Sequence, residues 1–347
     1  MFSTSASSAR DPHADTPVSR AGRGRALAVV VVLAVALAAV GGIAALSRRA
    51  PAQPVAGATG PAELRVSRDF GTETLSARRL RIPEHATAMS LLAGNARVET
   101  AYGGGFVNAI DGLASGYTGA GAKRADWFFF VDGMLADRGA ADFALSGADR
   151  VWWDFHPWDF APSVPAVVGQ FPQPFAGRGS GRGTLRTTVE YSSGFATQAA
   201  SVADTLRALG IGDVEVAPLA AGTPLESGHN HVLVGTWDGV MAAGDIRAAA
   251  EHPGSSGLFA RFAAGKLATV DETGAWTTRA VPAGVVLATA RPEEPAAAVW
   301  LVTGAEQADV DAAVRLLAGG APRLQGRFGV AVLRDGSLIG LPTRAGS

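Results

Sequence analysis

The sequence predicts a membrane-tethered protein with an α+β region followed by an α/β region, and three observations carry that expectation. Residues 26–46, ALAVVVVLAVALAAVGGIAAL, run without a charge. Residues 63–161 alternate apolar and polar side chains as strands do, around a single short helical stretch. From residue 184 onward, strand-like and helix-like segments follow one another, the pattern of an α/β region.

The N-terminal residues read as an address. Residues 1–25 are polar and Ser-rich, a composition that predicts a disordered tail. At about 1.5 Å per residue, the 26–46 run is long enough for a hydrocarbon core of about 30 Å. A cleavable signal peptide normally has a shorter apolar region, although Ala50-Pro51-Ala52 offers small residues for a cut; a retained signal anchor is the better reading. Arg20, Arg23 and Arg25 precede the run and Arg48 and Arg49 follow it, a slight bias that keeps the N-terminal side cytoplasmic. The expected localisation is therefore the cell membrane, single-pass, with the C-terminal regions extracytoplasmic. Residues 47–62, rich in Pro, Gly and Ala, form a stalk.

Composition narrows the function. Thirty basic and 31 acidic residues give a net charge of −1, which offers no electrostatic footprint for nucleic acid. Cysteine is absent, so disulfides, thiol catalysis and a lipidated cysteine are excluded. The first folded region opens with a strand at ELRVSRDFG. A short helix at Ala86–Gly94 follows, with Thr87 as its cap. GGGFVNAIDGLASG carries a strand and turns, ADWFFFVDG a strand ending in the turn pair Asp132-Gly133, and ADRVWWDFHPW a last strand that Pro157 ends. Residues 162–183 are dense in Pro and Gly and read as an interdomain linker, packed in part through Phe171 and Phe175.

These residues resemble the transcobalamin-like carboxy-terminal domain. The resemblance lies in Leu91-Leu92, Gly105-Phe106-Val107, Ile110-Asp111-Gly112, Trp127 to Gly133 and Leu145 to Phe155, in that order. Asp132 stands where that family usually has Asn, and Ala148 interrupts its usual Gly-Asp pair. The resemblance implies a β-grasp-like fold that closes over one face of a corrinoid. The helical-barrel domain that holds the other face in vitamin B12 carriers has no counterpart here. The expected fold class is thus an α+β β-grasp-like domain (63–161), then an α/β domain (184–347), behind an N-terminal transmembrane helix.

In the last strand, Val151, Trp153 and Phe155 point one way and Trp152, Asp154 and His156 the other. The first set belongs to the core. A bare Trp152 would forgo roughly 2–3 kcal/mol of burial, so the helix, the linker with Phe171 and Phe175, a ligand or a partner protein must cover it. The candidate ligand-binding residues are Trp152, Asp154, His156 and Trp158: a planar ligand would stack on a tryptophan while Asp154 or His156 bonds its edge.

The 184–347 region begins with the strand TLRTTVEYSS and the helix Gly194–Gly210, then the strands DVEVAPL and HVLVGT. GDIRAAAEH and GLFARFAAG look helical, KLATVDE and GVVLATARP look like strands, AAVWLVTG leads into the helix AEQADVDAAVRLLAG, and Asp335-Gly336 turns a closing hairpin. Its opening unit faintly resembles the carboxy-terminal domain of envelope polymer-attachment proteins. Chemistry is hard to find. GRGSGRG lacks the Lys-Ser ending and preceding strand of a phosphate loop, and YSSGF lacks a nucleophile elbow. His229 and His231 share a strand face and could ligate a metal, but no third ligand is evident and a polar surface strand is the plainer reading. Glu293-Glu294 reads as a solvated turn.

The sequence therefore leads to a non-enzymatic, anchored binding protein with no resident cofactor. Its ligand, by resemblance, would be cobalamin-like and presented for uptake, and its partners the membrane and a second envelope protein or transporter. The alternative is an envelope protein–protein interaction module with no small-molecule ligand.

Overall fold

The computed structural model describes residues 60–101, 104–116, 124–176, 185–279 and 281–346. The expected tail, span and most of the stalk lie outside them; among the described residues no helix is long and apolar enough to cross a membrane.

In the first region the strands are β1 (Gly60–Arg68) and β2 (Glu73–Ile82), then, after helix α1 (Ala88–Ala93), β3 (Val98–Ala101), β4 (Phe106–Ile110), β5 (Leu113–Ala114), β6 (Ala125–Val131), β7 (Met134–Leu135) and β8 (Arg150–Pro157). Five of them form one sheet in the order β2-β1-β8-β6-β7, and β3-β4-β5 form a second small one. Only β1 and β8 pair in parallel within the larger sheet. The helix starts where expected, through reciprocal bonds: the Ser90 N–H donates to the Thr87 hydroxyl and the Thr87 N–H to the Ser90 hydroxyl. Asp111-Gly112 and Asp132-Gly133 both take left-handed backbone and close tight hairpins.

One face of the larger sheet is the region's own core. Trp153 stacks on Phe129 at 4.6 Å and Trp127 meets Phe155 at 5.2 Å, with Val151, Leu91 and Leu92 packed around them. The other face carries Trp152, Asp154, His156, Phe128 and Phe130, as strand alternation requires.

The second region runs β9 (Arg186–Tyr191), α2 (Ala196–Ala208), β10 (Val214–Pro218), β11 (His229–Thr236), the short helices α3 (Trp237–Val240), α4 (Gly244–Ala250) and α5 (Pro253–Ser256), and then β12 (Ala260–Ala263), β13 (Lys266–Val270), β14 (Trp276–Arg279), β15 (Ala283–Arg291) and β16 (Glu294–Gly304). It closes with α6 (Gln307–Ala318), α7 (Ala321–Leu324), β17 (Gly329–Leu333) and β18 (Leu338–Leu341). A seven-stranded sheet has the order β10-β9-β11-β16-β15-β17-β18, parallel from β10 to β16 and antiparallel beyond. Helices α2 and α6 cover one of its faces over Val232, Val234, Trp300 and Val302. Its other face, with Leu233, Val285, Leu287, Val299 and Leu301, joins the same apolar cluster as Phe130 and Trp152 of the first sheet. Burial on both faces explains the nearly continuous apolar runs of β15 and β16. The fold is mixed α+β and rich in sheet, with the described residues in one compact unit.

Two local expectations change. GLFARFAAG forms strand β12 and the turn Ala264-Gly265 rather than a helix; both turn residues have positive φ, which reverses the chain into β13. The stretch read as a linker is packed over its described part, where Val164, Val167, Val168, Phe171 and Phe175 are buried. Proline and glycine there fix backbone direction, while the apolar side chains between them supply the burial. As expected, Phe171 and Phe175 do the packing, both against Trp300.

Candidate functional site

The outward face of the first sheet divides into a sealed end and an open one. At the sealed end Trp152 is fully buried, and protein supplies its cover. The cover comes from far along the chain: Phe328 meets its ring edge-on at 5.2 Å, and Phe130 lies 5.8 Å away. Two glycines let backbone close over the indole. A Cβ on Gly169 would lie 2.8 Å from Trp152 Cζ3, and one on Gly71, whose φ is +77°, would lie 2.8 Å from Cζ2 and 2.1 Å from the Gly326 carbonyl.

A polar network underlies this ring. The Trp152 indole N–H donates to the Ser67 hydroxyl at 2.7 Å, which in turn donates to Asp154. Asp154 also accepts from the backbone N–H groups of Phe70 (3.1 Å) and Gly71 (2.9 Å) and from His156 Nδ1 (2.8 Å). That contact makes Nδ1 the protonated nitrogen, because the carboxylate can only accept. The His156 ring is stacked between Phe70 and Phe128, each at 4.3 Å. Serine, aspartate and histidine thus meet, but the serine bonds the aspartate and not the histidine, so no nucleophile is activated. Three of the four predicted site residues come together in a buried hydrogen-bonded network, and Trp152, although fully buried, also borders the smaller of the two hollows described below. Trp158 sits apart at the far end of the strand, half-buried, with the Arg124 guanidinium 5.5 Å over its ring.

The open end lies on the other side of Trp152. Strand pairing places Arg79, Glu63 and Arg150 in one row across β2, β1 and β8, and Arg65 beside Trp152 in the next. Two adjoining hollows share Glu63 and Arg150 as their common wall. One, of about 290 Å³, is also lined by Arg79, Gln173, Leu209 and Gly210; the other, of about 210 Å³, by Arg65, Gln170, Pro322 and Gln325. Both regions of the fold contribute, so the cleft is a seam.

Its electrostatics are lopsided. Glu63 faces Arg150 at 3.4 Å and Arg79 at 3.8 Å. Arg150 is further fixed by the Gln170 and Phe171 carbonyls, which accept from its Nη1. Arg65 donates to the Thr74 hydroxyl at 2.7 Å but makes no ion pair among the described residues. Burial holds its guanidinium below the ordinary value, with Glu63 acting against that shift. Gln173 is 5% exposed, and its amide oxygen has no hydrogen-bond partner.

The paired histidines serve structure. His231 uses both ring nitrogens, Nδ1 with Glu190 at 2.9 Å and Nε2 with the Glu226 carbonyl at 2.8 Å, while His229 bonds the Thr188 hydroxyl. No cluster of three or more potential metal-ligating side chains occurs among the described residues. Glu294 of the carboxylate pair meets the buried Arg291.

With this geometry in place, the chain can be set beside known proteins. Residues 85–157 match the family described as Domain of unknown function (DUF4430). That family is transcobalamin-like, and the matched stretch contains every motif on which the sequence resemblance rests. No curated protein matches the chain. Among solved structures, one similar chain is a protein from Ruminococcus gnavus ATCC 29149, provisionally described as metal-binding. It is 14% identical, with 28% of this chain and 97% of that one covered; its TM-score of 0.22 carries no argument.

The DUF4430 match includes Arg150 and Trp152 but not Glu63, Arg65, Arg79 or Gln173. The seam cleft is therefore assembled largely from residues outside the matched stretch. Sequence reading missed it because strand β2 is largely polar, with apolar alternation confined to Leu80 and Ile82 at its end. The signal that was present is the basic cluster Arg78, Arg79 and Arg81 in an otherwise Lys-poor chain.

Proposed function

We propose that this chain is a non-enzymatic binding protein of the cell envelope, tethered by residues 26–46, with its ligand site at the seam of the two regions. The supporting observation is the cleft around Glu63 and Arg150, lined from both regions and holding more cationic than anionic groups. Ligand sites favour such boundaries between packed elements. The first region is read as β-grasp-like, following its resemblance to the closing domain of vitamin B12 carriers. Because Phe328 and the 164–169 stretch cover the end of the face bearing Trp152 and His156, this reading moves any corrinoid contact to the other end of the same face, at the seam.

The test is a titration of the full chain in detergent with cobalamin and cobinamide, followed by tryptophan fluorescence against a free-tryptophan inner-filter control. Saturable quenching that Arg79→Glu weakens would place a corrinoid at the seam. No saturation up to roughly millimolar ligand, about −4 kcal/mol of binding, would remove corrinoids as the ligand class. Salt- and carbonate-resistant membrane association, lost on deletion of residues 26–46, checks the tether.

A further inference from the structure

Strand β2 presents an edge that the seam cleft does not account for. It ends the five-stranded sheet, so its outer side carries no partner strand among the described residues. Arg78 and Arg81 are exposed there without an ion pair among the described residues, and Arg79 is 74% exposed although it faces Glu63. Against them stand Glu73, which Arg68 holds, and Glu84 beyond the strand's end, so the edge is net basic. Three large apolar side chains are exposed among the described residues, and two of them lie here. Leu75 is on β2 itself, 45% exposed, and Leu209, 44% exposed, lines the same hollow as Arg79 and Pro61. Apolar side chains set among arginines suit a lipid interface, where the first enter the acyl boundary and the second meet headgroups.

Position singles out the same surface. Pro61, at the start of β1, pairs with Arg81, so the chain enters the described region beside these arginines. Residues 47–59 alone separate that entry from the apolar run 26–46. Fully extended they reach about 45 Å, roughly the diameter of a domain of this size. We propose that the β2 edge, with Leu209, docks on anionic lipid headgroups of the membrane that holds the tether. Arg78, Arg79 and Arg81 meet the phosphates, which guanidinium forks match, and Leu75 and Leu209 enter the interface. This goes beyond the ligand reading of the seam and rests on the tether. Three arginines would hold a free protein weakly, but a tether makes the contact intramolecular, so little intrinsic affinity is needed to orient the chain. Arginines along an edge also discourage a further strand from pairing there, which favours a lipid surface over a peptide as the occupant.

The chain contains no cysteine, so one introduced thiol carries a spin label without background. The full chain is reconstituted in phosphatidylcholine vesicles with or without about 30% phosphatidylglycerol, each holding a nickel-chelating headgroup that relaxes nearby nitroxides. Labels go on Ala77→Cys, exposed in β2, and on Asp137→Cys, exposed just past β7 at the opposite edge of the sheet. With anionic lipid, relaxation at position 77 is expected to exceed that at 137 at least about threefold. It should fall to the level of 137 in pure phosphatidylcholine, in Arg78→Gln/Arg81→Gln, and in about 0.5 M salt, where the screening length is about 4 Å. Leu209→Ser should lower it as well, and a thermal melt of every variant confirms folding. Equal relaxation at 77 and 137, or relaxation at 77 that ignores both lipid charge and the two arginines, would overturn the docking surface. Dipolar broadening between labels at 77, independent of lipid charge, would put a second copy of the chain on this edge and overturn it too. Carbonate extraction separates the two readings. Chain retained in the bilayer with equal labels sinks the docking alone, whereas chain released by carbonate sinks the tether and the docking with it.

Discussion

On one face of the first sheet, Asp154 collects donors from Ser67, Phe70, Gly71 and His156, while two rows away Glu63 stands among the guanidiniums of Arg65, Arg79 and Arg150. The strands are the same and so is the face; what differs is what packs on it. Around Asp154 the second region brings Phe328 and Phe259 and excludes water, so each polar group there has to be satisfied internally. Around Glu63 the second region stops short, water reaches the side chains, and charge can remain unmatched. A face of this kind can cement two layers at one end and stay solvated at the other, and the difference lies in packing rather than in residue type alone.

Mutation at the two ends should expose that difference, with the largest effect at the sealed end. Asp154→Ala strands four donors in a dry interior at about 1–3 kcal/mol each, not additively. We expect a loss above about 3 kcal/mol in urea unfolding of residues 54–347. The corresponding change at the open end, Glu63→Gln, removes a solvated partner of arginines and should cost no more than about 1 kcal/mol. Comparable costs at the two ends would mean that the division between sealed and open is wrong.

A smaller effect tests how the seal is made. In Gly169→Ala the new methyl would lie 2.7 Å from the Arg327 nitrogen and 2.8 Å from the Trp152 ring, contacts that force the two layers apart. Overpacking of this kind costs roughly 1–3 kcal/mol. It should also red-shift and broaden the tryptophan emission as water reaches the indole. An unchanged spectrum with an unchanged midpoint would show that the layers near Trp152 have slack that the structure does not display.

Much of the sealed end could be read from the sequence. Alternation in β8 divides Val151, Trp153 and Phe155 from Trp152, Asp154 and His156, and the structure keeps that division, with Trp153 and Phe155 in the first region's own core. Alternation also shows that Trp152 needs cover. It does not show that Phe328, so distant in sequence, provides it, because a period of two names a face and not the partner on it. The open end was hidden for a related reason. Arg65 meets Trp152, and Glu63 meets Arg150, only through the parallel pairing of β1 with β8. Nothing local to either strand fixes that register. GLFARFAAG misled in another way: its alanines suit a helix, but a left-handed Ala264-Gly265 turn and packing of Phe259 into the shared core decide for a hairpin.

The smallest expected effect is electrostatic and concerns the rim of the sealed end, where Asp126 faces His156 across β6 and β8. Burial raises the Asp126 carboxyl above its ordinary value of 3.8, while the Trp127 N–H and the His156 ring pull it down without cancelling the rise. A carboxyl raised in the folded state takes up its proton before the unfolded chain does. The native state therefore gains stability as pH falls from above the raised value toward 3.8, and the contribution is flat below that. Asp126→Asn should accordingly stabilise the neutral protein by less than about 1 kcal/mol, an advantage that shrinks on acidification. Asp271 supplies the opposite sign. Burial raises it too, but the Thr273 hydroxyl and the N–H groups of Ala275, Thr273 and Gly274 together outweigh burial and leave it below 3.8. Its contribution is full above 3.8 and is lost as pH falls through the lower folded value. Urea midpoints of the two Asn variants, measured from pH 7 down to about 3, should converge on wild type from opposite sides. If both converge from the same side, the rim at Asp126 is solvated, and the dry zone ends at His156.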